Sequence, residues 1–185
     1  MPPINVQDII NQTNQYRVEQ KLPPLQLNDK LTQAAQYRAD DMAKTGSFSH
    51  NVATTTDMKK HYNFIKSKGY NYKATGENLA RDFNNATDVV NAWKASPTHN
   101  KNLLDKDFKD IGLAVVPGTY QGKPTYFVVQ FFGSQNGQPI MKTVAQAPTK
   151  QIAQRLGTQL QFRTQPPQQF NDRMAMTTPR FRTLK

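Results

Sequence analysis

The chain has 185 residues, no cysteine and a formal net charge of +11. The length leaves room for one domain of about 100–150 residues and a surplus, and the lack of cysteine excludes disulfides, thiol catalysis and thiolate metal sites. No apolar run approaches the roughly 18 residues of a membrane-spanning helix. The first residues show no charged segment followed by an apolar run, so we predict neither a membrane span nor a signal peptide in this sequence.

The positive charge is concentrated towards the C-terminus. Residues 1–135 hold 16 Lys/Arg and 12 Asp/Glu, net +4, whereas residues 136–185 hold 8 Lys/Arg and one Asp, net +7. The second stretch also contains 9 Gln and 5 Pro, with few aliphatic residues and no strand pattern. We therefore predict a folded domain over 1–135 and a basic tail over 136–185 that is extended or becomes ordered on a partner.

Apolar residues at helical spacing predict four helices in the domain. Asn28 or Asp29 would cap the start of the second helix, and Gly46 would end it. Arg17 is expected on the polar side of the first helix. The predicted helices cover residues 5–20, about 29–45, 56–68 and 86–94.

A further helix start is predicted at residues 96–99, Ser-Pro-Thr-His. Ser96 is a good N-cap residue, and a proline in the first helical position loses no hydrogen bond. His99 would lie in the first turn, where the helix dipole disfavours the imidazolium and leaves a neutral ligand or base. The alternative is that His99 only helps to close the cap.

The last part of the domain is typical of strands. Residues 110–116 and 124–132 are rich in β-branched and aromatic side chains, and the turn-forming residues 117–122 join them. This pattern predicts a β-hairpin. Helices followed by strands indicate an α+β domain with helices packed on an antiparallel sheet.

Three polar clusters stand out as candidate site residues. They are residues 49–51 (Ser-His-Asn), residues 76–80 (Gly-Glu-Asn-Leu-Ala) and residues 96–100. The cluster at 76–80 lies between two predicted helices. If the fold brings the clusters together, Glu77 lies between His50 and His99. The alternative for His50 is a histidine that makes local hydrogen bonds after a helix.

The order of these motifs resembles a known family. The chain is similar over about residues 5–134 to a CAP domain (cysteine-rich secretory, antigen 5, pathogenesis-related; also called SCP) of the cysteine-free bacterial type. The resemblance implies an α-β-α sandwich with a central antiparallel sheet and a cleft. The matching motifs are Asn-Gln-Tyr-Arg at 14–17, Leu-Pro-Pro-Leu at 22–25, Phe-Ser-His at 48–50, Gly-Glu-Asn-Leu-Ala at 76–80, Trp93 with residues 96–104, Ile-Gly at 111–112, and Val-Gln-Phe-Phe-Gly at 129–133.

The resemblance also implies site residues. Animal and plant members line the cleft with two histidines and two glutamates, of which His50 and Glu77 match directly. The second glutamate would fall near Ser96 and the second histidine at Phe127, so His99 is the candidate replacement. The predicted binding residues are therefore His50, Glu77, Asn78, Ser96 and His99. His50, Glu77 and His99 form a candidate metal set, for which Zn²⁺ is the suited ion because three ligands would leave an open position.

Three functions remain open. The first is a binding module for a small ligand or a divalent metal, docked to a protein partner by the tail. The second is a metal-assisted hydrolase with Glu77 as base and His50 or His99 as acid, although no Ser, Cys or Thr nucleophile lies in a recognised motif. The third is an accessory component of a virion or cell envelope with a degenerate cleft. We favour the binding module and lean away from an enzyme.

The resemblance also bears on location and partners. Family members are mostly exported, which implies an extracytoplasmic or virion-associated protein. The tail's 8 cations are scattered over 50 residues, and such a thin basic patch argues against nucleic acid as its partner.

Overall fold

The computed structural model describes residues 4–50, 65–66 and 68–136, and the backbone of residues 176–177 and 181–182. Its helices are α1 (Val6–Glu19), α2 (Asp29–Thr45), α3 (Ala86–Ala95) and α4 (Pro97–Leu103). Its strands are β1 (Gln26–Leu27), β2 (Tyr72–Arg81), β3 (Asp110–Tyr120), β4 (Lys123–Gln135), β5 (Met176–Thr177) and β6 (Phe181–Arg182). Most of the helix predicted over 56–68 lies outside the described residues.

The chain divides into two compact units, one of Met1–Gln138 with Arg173–Lys185 and the other of Pro139–Asp172. All of the described residues belong to the first unit, and the second lies outside them. Within the described ranges, none of the helices combines the length and the hydropathy that a membrane crossing requires.

The strands form one sheet in the order β1-β3-β4-β2-β5, and β6 also pairs with β2. The three long strands are antiparallel neighbours, with β4 between β3 and β2. β1 adds a short parallel pairing to β3. The expected central antiparallel sheet is thereby confirmed.

The predicted hairpin is present, and its strands are longer than expected. Pairing between β3 and β4 continues to Tyr120 opposite Lys123, so the loop is only Gln121 and Gly122. Both loop residues have positive φ, 49° and 77°. This is the backbone conformation of a two-residue turn whose twist matches that of paired strands.

Helices cover both faces of the sheet, which gives the expected α-β-α sandwich. The first face packs α1, α3 and α4 onto the sheet through Ile10, Val90, Trp93, Leu103, Ile111, Val128 and Phe132. The second face packs α2 onto the sheet through Leu31, Ala35, Met42, Leu79, Ala114, Val129 and Phe131. These two surfaces are called the α1 face and the α2 face below.

The helix boundaries follow the predicted caps. The Asn28 side chain accepts hydrogen bonds from the backbone N–H groups of Lys30 and Leu31, and Gly46 ends α2 with a φ of 64°. Pro97 occupies the first turn of α4, with Ser96 at its N-cap. A side-chain cap therefore marks the start of α2, whereas α4 begins at its proline without a capping hydrogen bond from the Ser96 side chain.

Strand β2 is a departure from the sequence prediction, which placed residues 76–80 in a connection between helices. Every residue from Ala74 to Arg81 is buried. A strand buried on both faces lacks the alternation of apolar and polar residues by which strands are recognised.

Arg17 is a second departure, because it was expected on the polar side of α1 and is 0% exposed. Its Nε donates to the Pro23 carbonyl at 2.9 Å, and its Nη1 donates to the carbonyls of Leu103 (2.7 Å) and Asp105 (3.0 Å). Burial lowers the pKa of Arg17 to about 10, and the charge of Asp105 opposes part of that shift. Arg17 thus ties α1 to the end of α4.

Candidate functional site

The structure places His50 beside Glu77 on the α2 face. His50 Nδ1 lies 2.7 Å from Glu77 Oε2, and Arg38 Nε donates to Glu77 Oε1 at 3.4 Å. The side chains of Glu77 and Arg38 are 4% and 2% exposed, whereas that of His50 is 13% exposed. Both oxygens of a buried carboxylate are therefore engaged by nitrogen groups, one of which is partly open to solvent.

Arg38 connects this pair to the segment after α2. Its Nη2 donates to the carbonyl of Ser49, next to His50, and its Nη1 lies 3.4 Å from Asp41 Oδ2. The guanidinium therefore binds both Glu77 and the backbone beside His50. Arg38 was not among the predicted site residues, although its position on the inner stripe of α2 was a signal for a buried cation.

Aromatic side chains also contact the segment after α2. The ring of Phe48 lies 6.4 Å from those of Phe127 and Tyr120. The Arg81 guanidinium lies 3.9 Å from the Tyr120 ring and 5.2 Å from the Phe48 ring. These cation–π contacts anchor Phe48 two residues before His50, and so help to position the imidazole.

His99 lies in a different environment. Its Nδ1 is 2.7 Å from Ser96 Oγ, its carbonyl accepts from Asn78 Nδ2 at 3.4 Å, and it is 1% exposed. Ser96 makes no side-chain hydrogen bond to the backbone as an N-cap. His99, Ser96 and Asn78 therefore form a second polar group around the start of α4.

Asn78 belongs to a buried chain of hydrogen-bonded side chains, called the amide chain here. Asn102 Nδ2 donates to the carbonyl of Glu77 (3.1 Å) and to Asn78 Oδ1 (2.9 Å). Asn78 Nδ2 donates to Gln130 Oε1 at 3.2 Å, and Gln130 Nε2 donates to Thr13 Oγ1 at 3.1 Å. The amide chain joins α1, β4, β2 and α4. Sequence reasoning missed its members other than Asn78; the available signal was polar residues inside apolar segments.

The predicted site residues thus form two groups. His50 and Glu77 lie together on the α2 face. Asn78, Ser96 and His99 lie with α4, which packs on the α1 face. Successive residues of a strand point to opposite faces, which separates the side chains of Glu77 and Asn78.

The same separation bears on the predicted metal set. Within residues 4–50, 65–66 and 68–136, no group of three His, Asp or Glu side chains is placed to hold a metal ion. The described residues therefore do not fit a three-ligand centre. The set of His50, Glu77 and His99 stays a prediction, of which the structure brings the first two together.

Comparison with known proteins decides the family. A model of the cysteine-rich secretory protein (CAP) family matches residues 10–131, which is more than half of the chain. The chain belongs to the CAP family. As expected from its sequence, this CAP domain contains no cysteine.

Relatives of this CAP domain occur in several bacteria. It is 34% identical over 108 residues to the protein YkwD of Bacillus subtilis (strain 168); the match covers 58% of this chain and 41% of YkwD. An extracellular SCP-domain protein of Bacillus anthracis (strain Ames) has 25% identity and a TM-score of 0.59, covering 70% of this chain and 40% of that one. An outer surface protein of Borrelia burgdorferi has 25% identity and a TM-score of 0.56; the match covers 69% of this chain and 90% of that protein. This chain therefore spans about two fifths of the length of YkwD and of the Bacillus anthracis protein.

Proposed function

We propose that this protein is a CAP binding module that takes a small polar ligand at His50. The observation that supports this is the fixed, buried Glu77 carboxylate, which holds the imidazole at 2.7 Å while Arg38 holds the carboxylate. A buried ion pair of this kind contributes little net stability compared with apolar packing. A role in holding a ligand-binding group gives a reason for its presence.

The ligand class follows from the proton on His50. A carboxylate only accepts hydrogen bonds, so a neutral His50 that bonds to Glu77 has its proton on Nδ1. Nε2 is then a lone-pair acceptor; it is buried, and in the described part of the chain no group hydrogen-bonds to it. In this proposal its partner is a ligand hydroxyl or N–H group, or a divalent cation, and Glu77 orients the imidazole through Nδ1.

Calorimetric titration of Zn²⁺ into the full-length chain tests the cation. Because His50 alone would ligate the ion and water would fill its other positions, we expect weak one-to-one binding that is abolished by His50→Phe and weakened about ten- to a hundredfold by Glu77→Gln, as for carboxylates that orient a metal-binding histidine. His99→Ala is the matched control and should bind Zn²⁺ like the wild type. Loss of binding in His99→Ala, with the fold retained by circular dichroism, would instead support the three-residue set. No binding to a folded wild type would make the cluster a structural hydrogen-bond network.

A second part of the proposal concerns partner and place. The solved relatives carry the descriptions extracellular and outer surface protein, and this supports an extracytoplasmic location. The tail, with a net charge of +7, would dock to an acidic protein surface, as in an envelope or virion assembly. We expect the chain to fractionate outside the cytoplasm, and recovery of the wild type in the cytoplasm would contradict this location. We also expect the chain to lose its protein partner when the tail's 8 cations are changed to Gln.

The alternative is a hydrolase that uses the same pair. In place of the Glu77 base expected from the sequence, His50 would be the general base here, because a histidine oriented by a carboxylate is the usual arrangement of a base. Loss of a hydrolytic activity in Glu77→Gln, with the fold retained, would favour this alternative over the binding module.

A further inference from the structure

The outer edge of β2 is paired with the C-terminal end of the same chain. Thr177 and Met176 of β5 pair antiparallel with Asn78 and Leu79. Further along, Arg182 and Phe181 of β6 pair antiparallel with Ala74 and Thr75. β4 lies on the other side of β2, so without these two short strands β2 would be an edge strand.

The two pairings bracket Glu77. Two β2 residues, Gly76 and Glu77, separate the paired stretches on β2, whereas three residues, 178–180, separate them on the C-terminal segment. The pairing register therefore differs by one residue between β5 and β6.

The gap between the two pairings on β2 contains Glu77, whose backbone carbonyl already accepts a hydrogen bond. The Glu77 carbonyl accepts a hydrogen bond from Asn102 Nδ2 at 3.1 Å. The C-terminal segment thus pairs with β2 on both sides of a position that is served by a side chain of α4.

An open strand edge presents a row of backbone donors and acceptors that takes up a further strand. Many peptide-binding domains use such an edge, where the main chain supplies affinity. We propose that the outer edge of β2 is a peptide-binding edge beside Glu77, and that its resident ligand is the segment of the same chain that supplies β5 and β6. A partner that captures this segment then has to release it from β2 first.

Hydrogen exchange on the whole chain tests the pairing of β5 and β6 with β2. We compare the wild type with a variant in which Met176, Thr177 and Phe181 are all changed to proline, since proline cannot donate to a ladder. The amides of β2 that point to this outer edge should exchange about tenfold faster or more in this variant, because the edge is then open, whereas those bonded to β4 should change less. The matched control, Thr183→Pro with Leu184→Pro, lies outside both pairings and should leave the exchange unchanged. Equal exchange in the wild type and the triple-proline variant would overturn the proposal.

A labelled synthetic peptide of residues 173–185 tests the edge as a binding site. It should bind the triple-proline variant about tenfold more tightly than the wild type, whose edge is already filled by a tethered copy at high effective concentration. The control variant should behave like the wild type. Equal affinity for all three chains would overturn the proposal, as would a dimeric triple-proline variant that binds no peptide, since a second copy would then be the natural occupant.

Discussion

Glu77 and Asn78 are neighbours on β2, yet their side chains serve opposite faces of the sheet. The Glu77 carboxylate binds Arg38 and His50 on the α2 face. The Asn78 amide binds Gln130 and Asn102 within the amide chain, towards the α1 face. A shift of β2 by one residue would exchange the two environments, so the register of β2 against β4 determines where each polar group lies.

Glu77→Gln should destabilise the fold because it removes the buried one of the two carboxylates that contact Arg38. Removing one partner of a buried ion pair costs about 3 kcal/mol, which urea unfolding will measure. Asp41→Asn is the control, since Asp41 also contacts Arg38 but its side chain is 28% exposed. Its loss should cost about 0.5 kcal/mol. Equal losses of unfolding free energy in the two variants would show that the buried ion pair stabilises the fold no more than the partly exposed one.

Asn102→Ala should cost about 2 kcal/mol, because the Glu77 carbonyl and Asn78 Oδ1 both lose a buried donor. Asn100 on the same helix is the matched control. Its Oδ1 has no hydrogen-bond partner among the described residues, so Asn100→Ala should change the free energy of unfolding by less than about 0.5 kcal/mol. A similar loss in both variants would mean that the amide chain does not stabilise the join between α4 and β2.

Gly112→Ala should be among the most damaging substitutions in the sheet. An added Cβ would lie 2.2 Å from the backbone of Leu31, so α2 would have to move off the sheet. We expect a loss of about 3 kcal/mol or failure to fold. Gly122→Ala is the control: it has a φ of 77° but open space, so only the backbone penalty of about 1 kcal/mol applies. Thermal unfolding of the two variants distinguishes steric from backbone effects.

Tyr70 should make the fold sensitive to alkaline pH. Burial raises the pKa of Tyr70, and the charge of Asp110 and the 2.8 Å hydrogen bond to it raise the pKa further. Above about pH 10 the unfolded chain loses this proton while the folded chain keeps it, so stability is present below pH 10 and falls as the pH rises.

In Tyr70→Phe, the free energy of unfolding should therefore fall less steeply above pH 10 than in the wild type. Denaturant unfolding at pH 7, 9 and 10.5 measures this slope. Burial also raises the pKa of Tyr72, but Tyr72 is only half-buried whereas Tyr70 is fully buried, so Tyr72→Phe should reduce the slope less. An unchanged slope in Tyr70→Phe would show that the raised pKa of Tyr70 does not cause the loss of stability at alkaline pH.

Much of the fold was predictable from the sequence where the cause is local. Asn28, Gly46 and Pro97 determine the ends of α2 and the start of α4 through caps and backbone geometry. The hairpin was predictable because β-rich segments flank turn-forming residues. The proximity of His50 to Glu77 was anticipated through the family resemblance, since 27 residues separate them and no periodicity connects them.

Tertiary structure decided the rest. Whether residues 76–80 form a loop or a buried strand depends on β4 and on helices of both faces, and a doubly buried strand has no periodic signature. Burial of Arg17 depends on carbonyls 86 and 88 residues away. The position of His99 relative to Glu77 depends on strand parity and on which face α4 covers. These are contacts between distant segments, and local residue preferences do not encode them.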